Sequence, residues 1–110
     1  MNTPIILASS SETRADMLRA AGVDIDIQPA RVDETSLKAA LISEGAIARD
    51  IADALAEAKA RRVANRNPEA FVLGADQVLM CQAQLFDKPE TLDAARNQLR
   101  ALRGQTHELL

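Results

Sequence analysis

Residues Phe71–Met80 have the sequence FVLGADQVLM, an almost unbroken apolar run that carries one carboxylate, Asp76. The run is too short for a typical helix and is rich in Val, Leu and Phe, so it predicts a buried strand. An ionised carboxylate removed from water is costly unless a cation, a donor or a metal meets it. We therefore expect the strand to present Asp76 to a cleft. Two alternatives stay open: backbone amides satisfy Asp76, or the chain bends at Gly74 into a loop.

The segments around this run have the pattern of a layered α/β domain. Further strands are predicted at 5–8, 23–28 and 84–86, and helices at 12–21, 36–43, 48–65 and after Thr91 up to Gly104. Strands that alternate with helices indicate one α/β domain over residues 1–110, with a mixed sheet and flanking helices. A last strand begins in the C-terminal QTHELL, and no polar tail follows it. We therefore expect a fold truncated after its first half, with an unpaired sheet edge.

Composition limits the classes of partner. The chain has 110 residues, a net charge of -3 and only two aromatic residues, so it offers neither a basic groove nor a base-stacking surface for nucleic acid. No segment has the length of a membrane span or the pattern of a signal peptide, which predicts a cytoplasmic protein without a membrane partner. A single Cys and a single His exclude an internal disulfide and a thiolate or imidazole metal cluster. A hard, oxygen-coordinated ion such as Mg²⁺ is the metal type that remains.

A serine turn lies between the first strand and the first helix. Free backbone amides, hydroxyls and the positive end of the helix dipole make such a turn an anion site. The alternative is ordinary capping, because Ser9 and Glu12 have the spacing of a capping box. Arg14 favours the anion site, since a cation in the first helical turn opposes the dipole unless an anion binds there. Phosphate is the candidate anion.

Two lysines and an acidic pair could serve the same ligand. Lys59 lies at the border of the buried stripe of the long helix, and Lys88 lies in a loop; either could instead be a surface lysine. Asp33 and Glu34 could bind a metal or support the cations, or they could be solvated loop acids. Together with Asp76, these residues favour phosphoryl or nucleotidyl chemistry with a divalent ion, although neither a P-loop nor a GxGxxG motif is present.

Six segments in series resemble one known family. They are LASSSETR at 7–14, VDE at 32–34, LAEAKA at 55–60, LGADQV at 73–78, FDKP at 86–89 and LRGQTHEL at 102–109. In these segments the chain resembles the Maf family of nucleoside triphosphate pyrophosphatases. The resemblance implies an elongated α/β fold whose cleft hydrolyses a nucleoside triphosphate to its monophosphate and pyrophosphate, with Mg²⁺ or Mn²⁺ as the cofactor.

The resemblance also implies roles for single residues. Asp76 corresponds to the family's proton acceptor, which activates water for attack on the α-phosphate. The remaining implied positions are Ser9, Arg14, Lys59 and Lys88 for the polyphosphate, Glu34 with Asp76 for the metal, and Thr13 and Gln77 for base selection.

Two departures from the family pattern limit what the resemblance implies. The family commonly has Pro and Arg, or Pro and Trp, where this chain has Glu12 and Thr13, whereas Gln77 is similar to members that favour 7-methyl-GTP over dTTP and UTP. The expected substrate is therefore a nucleoside triphosphate, with modified bases included. Family members also continue into a second half that closes the cleft. The competing expectations are a non-catalytic nucleotide-binding or division-arrest protein, and an inactive fragment that pairs with that half or forms a homodimer.

Overall fold

The fold is an α/β arrangement of two small sheets flanked by helices, which confirms the predicted fold class. It is seen in a computed structural model that describes residues 5–110; residues 1–4, which the sequence analysis included in the single domain, lie outside the described part. The strands are β1 Ile5–Leu7, β2 Ile25–Ile27, β3 Phe71–Leu73, β4 Leu79–Cys81, β5 Gln84–Phe86 and β6 His107–Leu109. The helices are α1 Glu12–Ala20, α2 Glu34–Ser43, α3 Ala48–Ala64 and α4 Leu92–Leu102.

The first sheet is parallel and has the strand order β2-β1-β3. Ile5 of β1 pairs with Ile25 of β2 on one side and with Phe71 of β3 on the other. The central strand is the most buried, and its Ile6 packs with Val63 of α3 in one core cluster. Parallel strands place their carboxyl ends at the same edge, so the chain leaves β1 and β3 towards the same region. The serine turn and Asp76 both follow these ends.

The second sheet is antiparallel and has the order β5-β4-β6. Strands β4 and β5 form a hairpin through Gln82 and Ala83, whose φ angles of 48° and 63° are those of the turn that matches strand twist. Strand β6 pairs with the other edge of β4. Ile51 and Leu55 of α3 form the core beneath this sheet together with Val78. Helix α3 therefore supports both sheets and the segment that joins them.

The prediction of one strand over residues 71–80 is wrong, because the run is divided between the two sheets. Strand β3 ends at Leu73 and β4 begins at Leu79, with an irregular segment between them. The break is at Gly74, where an added Cβ would lie 2.2 Å from the carbonyl oxygen of Ala56 and 2.9 Å from Cβ of Ala60. The backbone thus lies directly against α3, and only glycine permits this approach. The alternative prediction, a bend at Gly74, is confirmed.

Helix ends follow local capping chemistry, with one difference from expectation. Ser11, rather than Ser9, caps α1, since its Oγ accepts a hydrogen bond from the backbone of Arg14 at 3.2 Å. Asp33 caps α2, which is why that helix begins two residues before the predicted start. Thr91 caps α4 as predicted. Capping at Ser11 leaves Ser9 outside the helix and on the cleft side of the turn.

Helix α4 has a strongly apolar face that the described residues leave uncovered. Its Leu92 is 82% exposed and its Leu99 is 68% exposed, and no residue of the helix is buried by the rest of the chain at 5–110. Among the helices in this range, none has both the length and the apolar character that crossing a bilayer requires.

Candidate active site

A cleft lies above the irregular segment that joins the two sheets. It consists of two cavities, which we name the serine cavity, about 770 Å³ and lined by the serine turn, and the α2 cavity, about 670 Å³ and lined by α2 and β5. Both cavities are lined by Glu34, Asp76, Gln77 and Lys88. These four residues therefore form the boundary between two halves of one open space.

All eight residues to which the family resemblance gives a role line the serine cavity, whereas Asp33, the other acid considered, caps α2 and does not line it. The eight residues are Ser9, Thr13, Arg14, Glu34, Lys59, Asp76, Gln77 and Lys88. They come from the serine turn and α1, from the first turn of α2, from α3, from the irregular segment and from the β5–α4 loop. The fold thus brings chemically related side chains from five separate segments to one place, although the sequence alone gives no contact between them.

Lys59 lies at the centre of the cavity's charged groups. It is on the buried face of α3 and only 8% exposed, and its Nζ lies 2.7 Å from Oε1 of Glu34 and 2.9 Å from Oδ1 of Asp76. Nζ also donates to the carbonyl oxygen of Ala75 at 3.3 Å. Burial disfavours the charged form, but the hydrogen bonds to Glu34 and Asp76 outweigh it and raise the pKa of Lys59. The ammonium therefore stays charged between the two carboxylates.

Asp76 is largely withdrawn from solvent, while Glu34 is not. The Asp76 side chain is 11% exposed, and its carboxylate is met by Lys59. This agrees with the expectation that a cation meets the carboxylate in a cleft. The Glu34 side chain is 48% exposed and reaches the same ammonium from the start of α2. Lys59 therefore connects α2 to the irregular segment through two ion pairs.

Arg14 and Ser9 also line the serine cavity. Nη1 of Arg14 donates to the carbonyl oxygen of Ala75 at 3.2 Å, which joins α1 to the irregular segment. Ser9 is buried, and its Oγ accepts a hydrogen bond from the backbone amide of Ser11 at 3.0 Å. A hydroxyl that accepts one bond keeps its proton for donation. The turn thus offers a hydroxyl donor in the cavity that the guanidinium also lines.

Comparison with known proteins places this arrangement in a family. The sequence profile of the Maf-like proteins matches residues 4–110. The chain belongs to the Maf family. It is 54% identical over all 110 residues to the nucleoside triphosphate pyrophosphatase of Ruegeria sp. (strain TM1040), and 48% identical over 109 residues to the 7-methyl-GTP pyrophosphatase of Mesorhizobium japonicum (strain LMG 29417 / CECT 9101 / MAFF 303099). Each match covers 55% of the relative, so the chain spans about half the length of the curated relatives it matches.

In this Maf chain, contacts between α2, the β5–α4 loop and α4 connect the elements around the cleft, and the sequence analysis did not find them. We name these contacts the strap. Lys38 of α2 forms a salt bridge with Asp87 in the β5–α4 loop. The backbone carbonyl of Asp87 accepts a second bond, from Nε2 of Gln98 at 2.7 Å. Asp87 precedes Lys88 directly, so these contacts hold the loop that carries Lys88. Only the proximity of Asp87 to Lys88 could have indicated this in the sequence.

The oxygen ligands around Lys59 suit a hard divalent ion. Within residues 5–110, no three His, Cys, Asp or Glu side chains are grouped as a metal site. Glu34 and Asp76 nevertheless reach the same ammonium nitrogen, and the carbonyl of Ala75 lies beside them. Mg²⁺ is typically held by one or two carboxylates, with substrate phosphates completing its coordination. The residues present therefore fit the expected cofactor.

Cys81 and His107 take no part in the cleft. Cys81 is buried in β4, with its Sγ 3.6 Å from the carbonyl oxygen of Thr106. His107 is exposed on β6, where it pairs with Cys81 in the ladder. Cys81 therefore serves packing, and His107 lies at the surface.

Proposed function

We propose that this Maf chain carries the catalytic part of a nucleoside triphosphate pyrophosphatase, which hydrolyses its substrate to a nucleoside monophosphate and pyrophosphate. The observation that supports the proposal most is the convergence on the serine cavity of the eight residues to which the family resemblance gives a role. A cavity of about 770 Å³ lies in the range of small-molecule sites. The names of the relatives, nucleoside triphosphate pyrophosphatase and 7-methyl-GTP pyrophosphatase, support the same reaction.

The phosphate groups would bind at the serine turn. The first amides of α1 and the hydroxyl of Ser9 provide hydrogen-bond donors, and the dipole of α1 favours negative charge at this end. Arg14, Lys59 and Lys88 add positive charge around the same cavity. Ser9 and these three cations all line the serine cavity, which supports assigning the four side chains to the polyphosphate.

Asp76 is the proposed general base. In this reaction Asp76 takes a proton from water, the water oxygen bonds to the α-phosphorus, and the bond from that phosphorus to the bridging oxygen breaks. The electron pair leaves with pyrophosphate. Asp76 suits the role because it is a carboxylate held in the cleft by an ion pair with Lys59 at 2.9 Å.

Glu34 and Asp76 would hold Mg²⁺ or Mn²⁺. A bound divalent ion supplies charge neutralisation for the polyphosphate and polarises its oxygens. Both carboxylates line the serine cavity, so an ion that they held would lie in the cavity that also contains the proposed phosphate-binding residues.

Thr13 and Gln77 are the proposed base-selecting residues. Gln77 is exposed at the boundary of the two cavities, and its amide can both donate and accept hydrogen bonds. Thr13 is exposed at the start of α1 in the serine cavity. We assign the substrate as a nucleoside triphosphate with modified bases included, in line with the name of the Mesorhizobium relative.

The test is pyrophosphate release by the wild-type chain and two matched variants. Asp76→Asn should lose turnover while still binding nucleotide, because the amide keeps the shape of the side chain but accepts no proton. Asp26→Asn, on the exposed surface of β2, is the control and should retain turnover. Equal turnover in Asp76→Asn and the wild type would overturn the assignment of the base. Nucleotide binding without any release by the wild type would favour the binding protein.

A further inference from the structure

The ammonium group of Lys59 has no hydrogen-bond donor left for a ligand. An ammonium carries three N–H donors and no acceptor. Three protein oxygens surround it, those of Glu34 at 2.7 Å, Asp76 at 2.9 Å and the carbonyl of Ala75 at 3.3 Å. Lys59 is also 8% exposed, so solvent has little access to it. In this arrangement, Lys59 cannot donate to a phosphate group without giving up one of its present partners.

The oxygens that hold Lys59 are also the ones suited to a divalent ion. Glu34 and Asp76 carry the two carboxylates of the cleft that reach one common point, and a lysine nitrogen occupies that point. Two carboxylates brought together without a cation would repel each other. Lys59 therefore supplies the positive charge that keeps both of them in position.

We propose that Lys59 is a placeholder cation, which holds Glu34 and Asp76 together until a divalent cation binds and then turns its ammonium to a phosphate of the substrate. The inference deepens the proposed function and rests on its metal site. The side chain suits this exchange, because lysine carries a compact charge on a flexible stem of four carbons. The ammonium needs little movement, since Lys59 already lines the serine cavity.

Exchange of the Lys59 ammonium for a divalent ion has a thermodynamic consequence that would not arise if Lys59 only bound phosphate. If Lys59 and the divalent ion share the same oxygens, then the ion must displace the lysine before it binds. Lys59 therefore weakens metal binding in the absence of nucleotide. By reciprocity, the metal strengthens the binding of phosphate by Lys59.

The test is a titration of the 110-residue chain with Mn²⁺ in the absence of nucleotide. The electron paramagnetic resonance signal of free Mn²⁺ reports how much of the ion has bound. We expect Lys59→Met to bind Mn²⁺ roughly 10- to 100-fold more tightly than the wild type, since the ion no longer breaks charged hydrogen bonds. Lys88→Met is the matched control, because Lys88 lines the same cavity but forms no salt bridge within residues 5–110. It should change the affinity by less than about threefold.

Each outcome decides for or against the exchange. Unchanged or weaker binding of Mn²⁺ by Lys59→Met would overturn it, and so would an equal gain in Lys88→Met, which would indicate only a general charge effect. If Lys59→Met does not fold, Lys59→Gln replaces it, since the amide removes the charge but keeps donors, and the same gain is expected. The titration contains no nucleotide. A chain that fails to hydrolyse nucleotides can therefore still pass this test, and a hydrolytic chain can fail it.

Discussion

Substitution of Gly74 by Ala tests how the cleft depends on the contact between the irregular segment and α3. The added Cβ would lie 2.2 Å from the backbone oxygen of Ala56 and 2.9 Å from Cβ of Ala60. Neither atom can rotate away, because one is backbone and the other is a methyl group fixed to a helix. To restore ordinary contact, the segment and the helix must separate by about 1 Å.

The cost follows from this displacement. Overpacking of a fixed site typically costs about 1–3 kcal/mol, and a clash with backbone belongs at the upper end, so we take about 3 kcal/mol. With an m-value near 1.5 kcal/mol per M for a chain of this size, the urea midpoint should fall by about 2 M. The move also displaces the carbonyl of Ala75, which accepts bonds from Arg14 at 3.2 Å and Lys59 at 3.3 Å. We therefore expect weaker nucleotide binding as well as lower stability.

The assay is urea unfolding followed by far-ultraviolet circular dichroism, since the chain has no Trp or Tyr to report by fluorescence. Gly45→Ala is the matched control. Its Cβ would meet nothing within 4 Å, and the only cost is the left-handed backbone at φ +80°, about 1 kcal/mol. A midpoint for Gly74→Ala equal to or above that of Gly45→Ala would refute the close contact between the segment and α3.

Three further predictions concern the parts that surround the cleft. Ser11→Ala should lower the melting temperature by about 5 °C through loss of the α1 cap, whereas Ser10→Ala, exposed in the same turn, should change it by no more than about 1 °C. The hydrogen bond from the backbone amide of Ser36, and to a smaller extent the one from its hydroxyl, lowers the pKa of Asp33 in the folded chain. The contribution of Asp33 to folding stability is therefore present above about pH 4 and is lost as the pH falls through the lowered pKa. Asp33→Ala should therefore be less stable than the wild type in urea at pH 7, and the difference should shrink by pH 3. Lys38→Met should raise KM about three- to tenfold with kcat nearly unchanged, because the loop that carries Lys88 loses its strap, while Arg96→Met, in an exposed pair on α4, should leave both constants unchanged. Equal melting temperatures in the two serine variants would contradict the cap at Ser11. A stability difference for Asp33→Ala that does not change with pH would contradict the role of the Asp33 carboxylate. An unchanged KM in Lys38→Met would contradict the role of the strap.

Local patterns in the sequence were sufficient to locate the helices and to single out Asp76, whereas the roles of Thr13 and Gln77 came only from the resemblance to the Maf family. Helical spacing predicted a buried stripe on α3, where Ile51 and Leu55 are indeed buried, and Lys59, expected at the border of the stripe, lies on the buried face itself. Asp76 was found because a carboxylate in an apolar run needs a partner, and Lys59 is that partner. Short-range physics decides these features, so the sequence shows them directly.

Contacts between distant segments could not be predicted in the same way. In the apolar run at 71–80, Gly74 left a bend open as an alternative, but the sequence could not show that the two halves join different sheets, because the contact that divides the run lies between Gly74 and residues of α3. The strap joins Lys38 to Asp87, 49 residues apart, and no local pattern records such a pair. Met17 is an apolar residue of α1, but it is 62% exposed and lines the serine cavity. Only the assembled fold decides which apolar side chains meet the core and which line the cleft.

The measurement that tests the central claim most directly is hydrolysis in water enriched in oxygen-18, with mass analysis of both products. UTP, dTTP and 7-methyl-GTP are the substrates, each with Mg²⁺ or Mn²⁺. Attack by a water that Asp76 activates at the α-phosphorus predicts that the label enters the nucleoside monophosphate and that the pyrophosphate stays unlabelled. Label in pyrophosphate or in orthophosphate, or no labelled product from any of the three substrates, would contradict the proposed site.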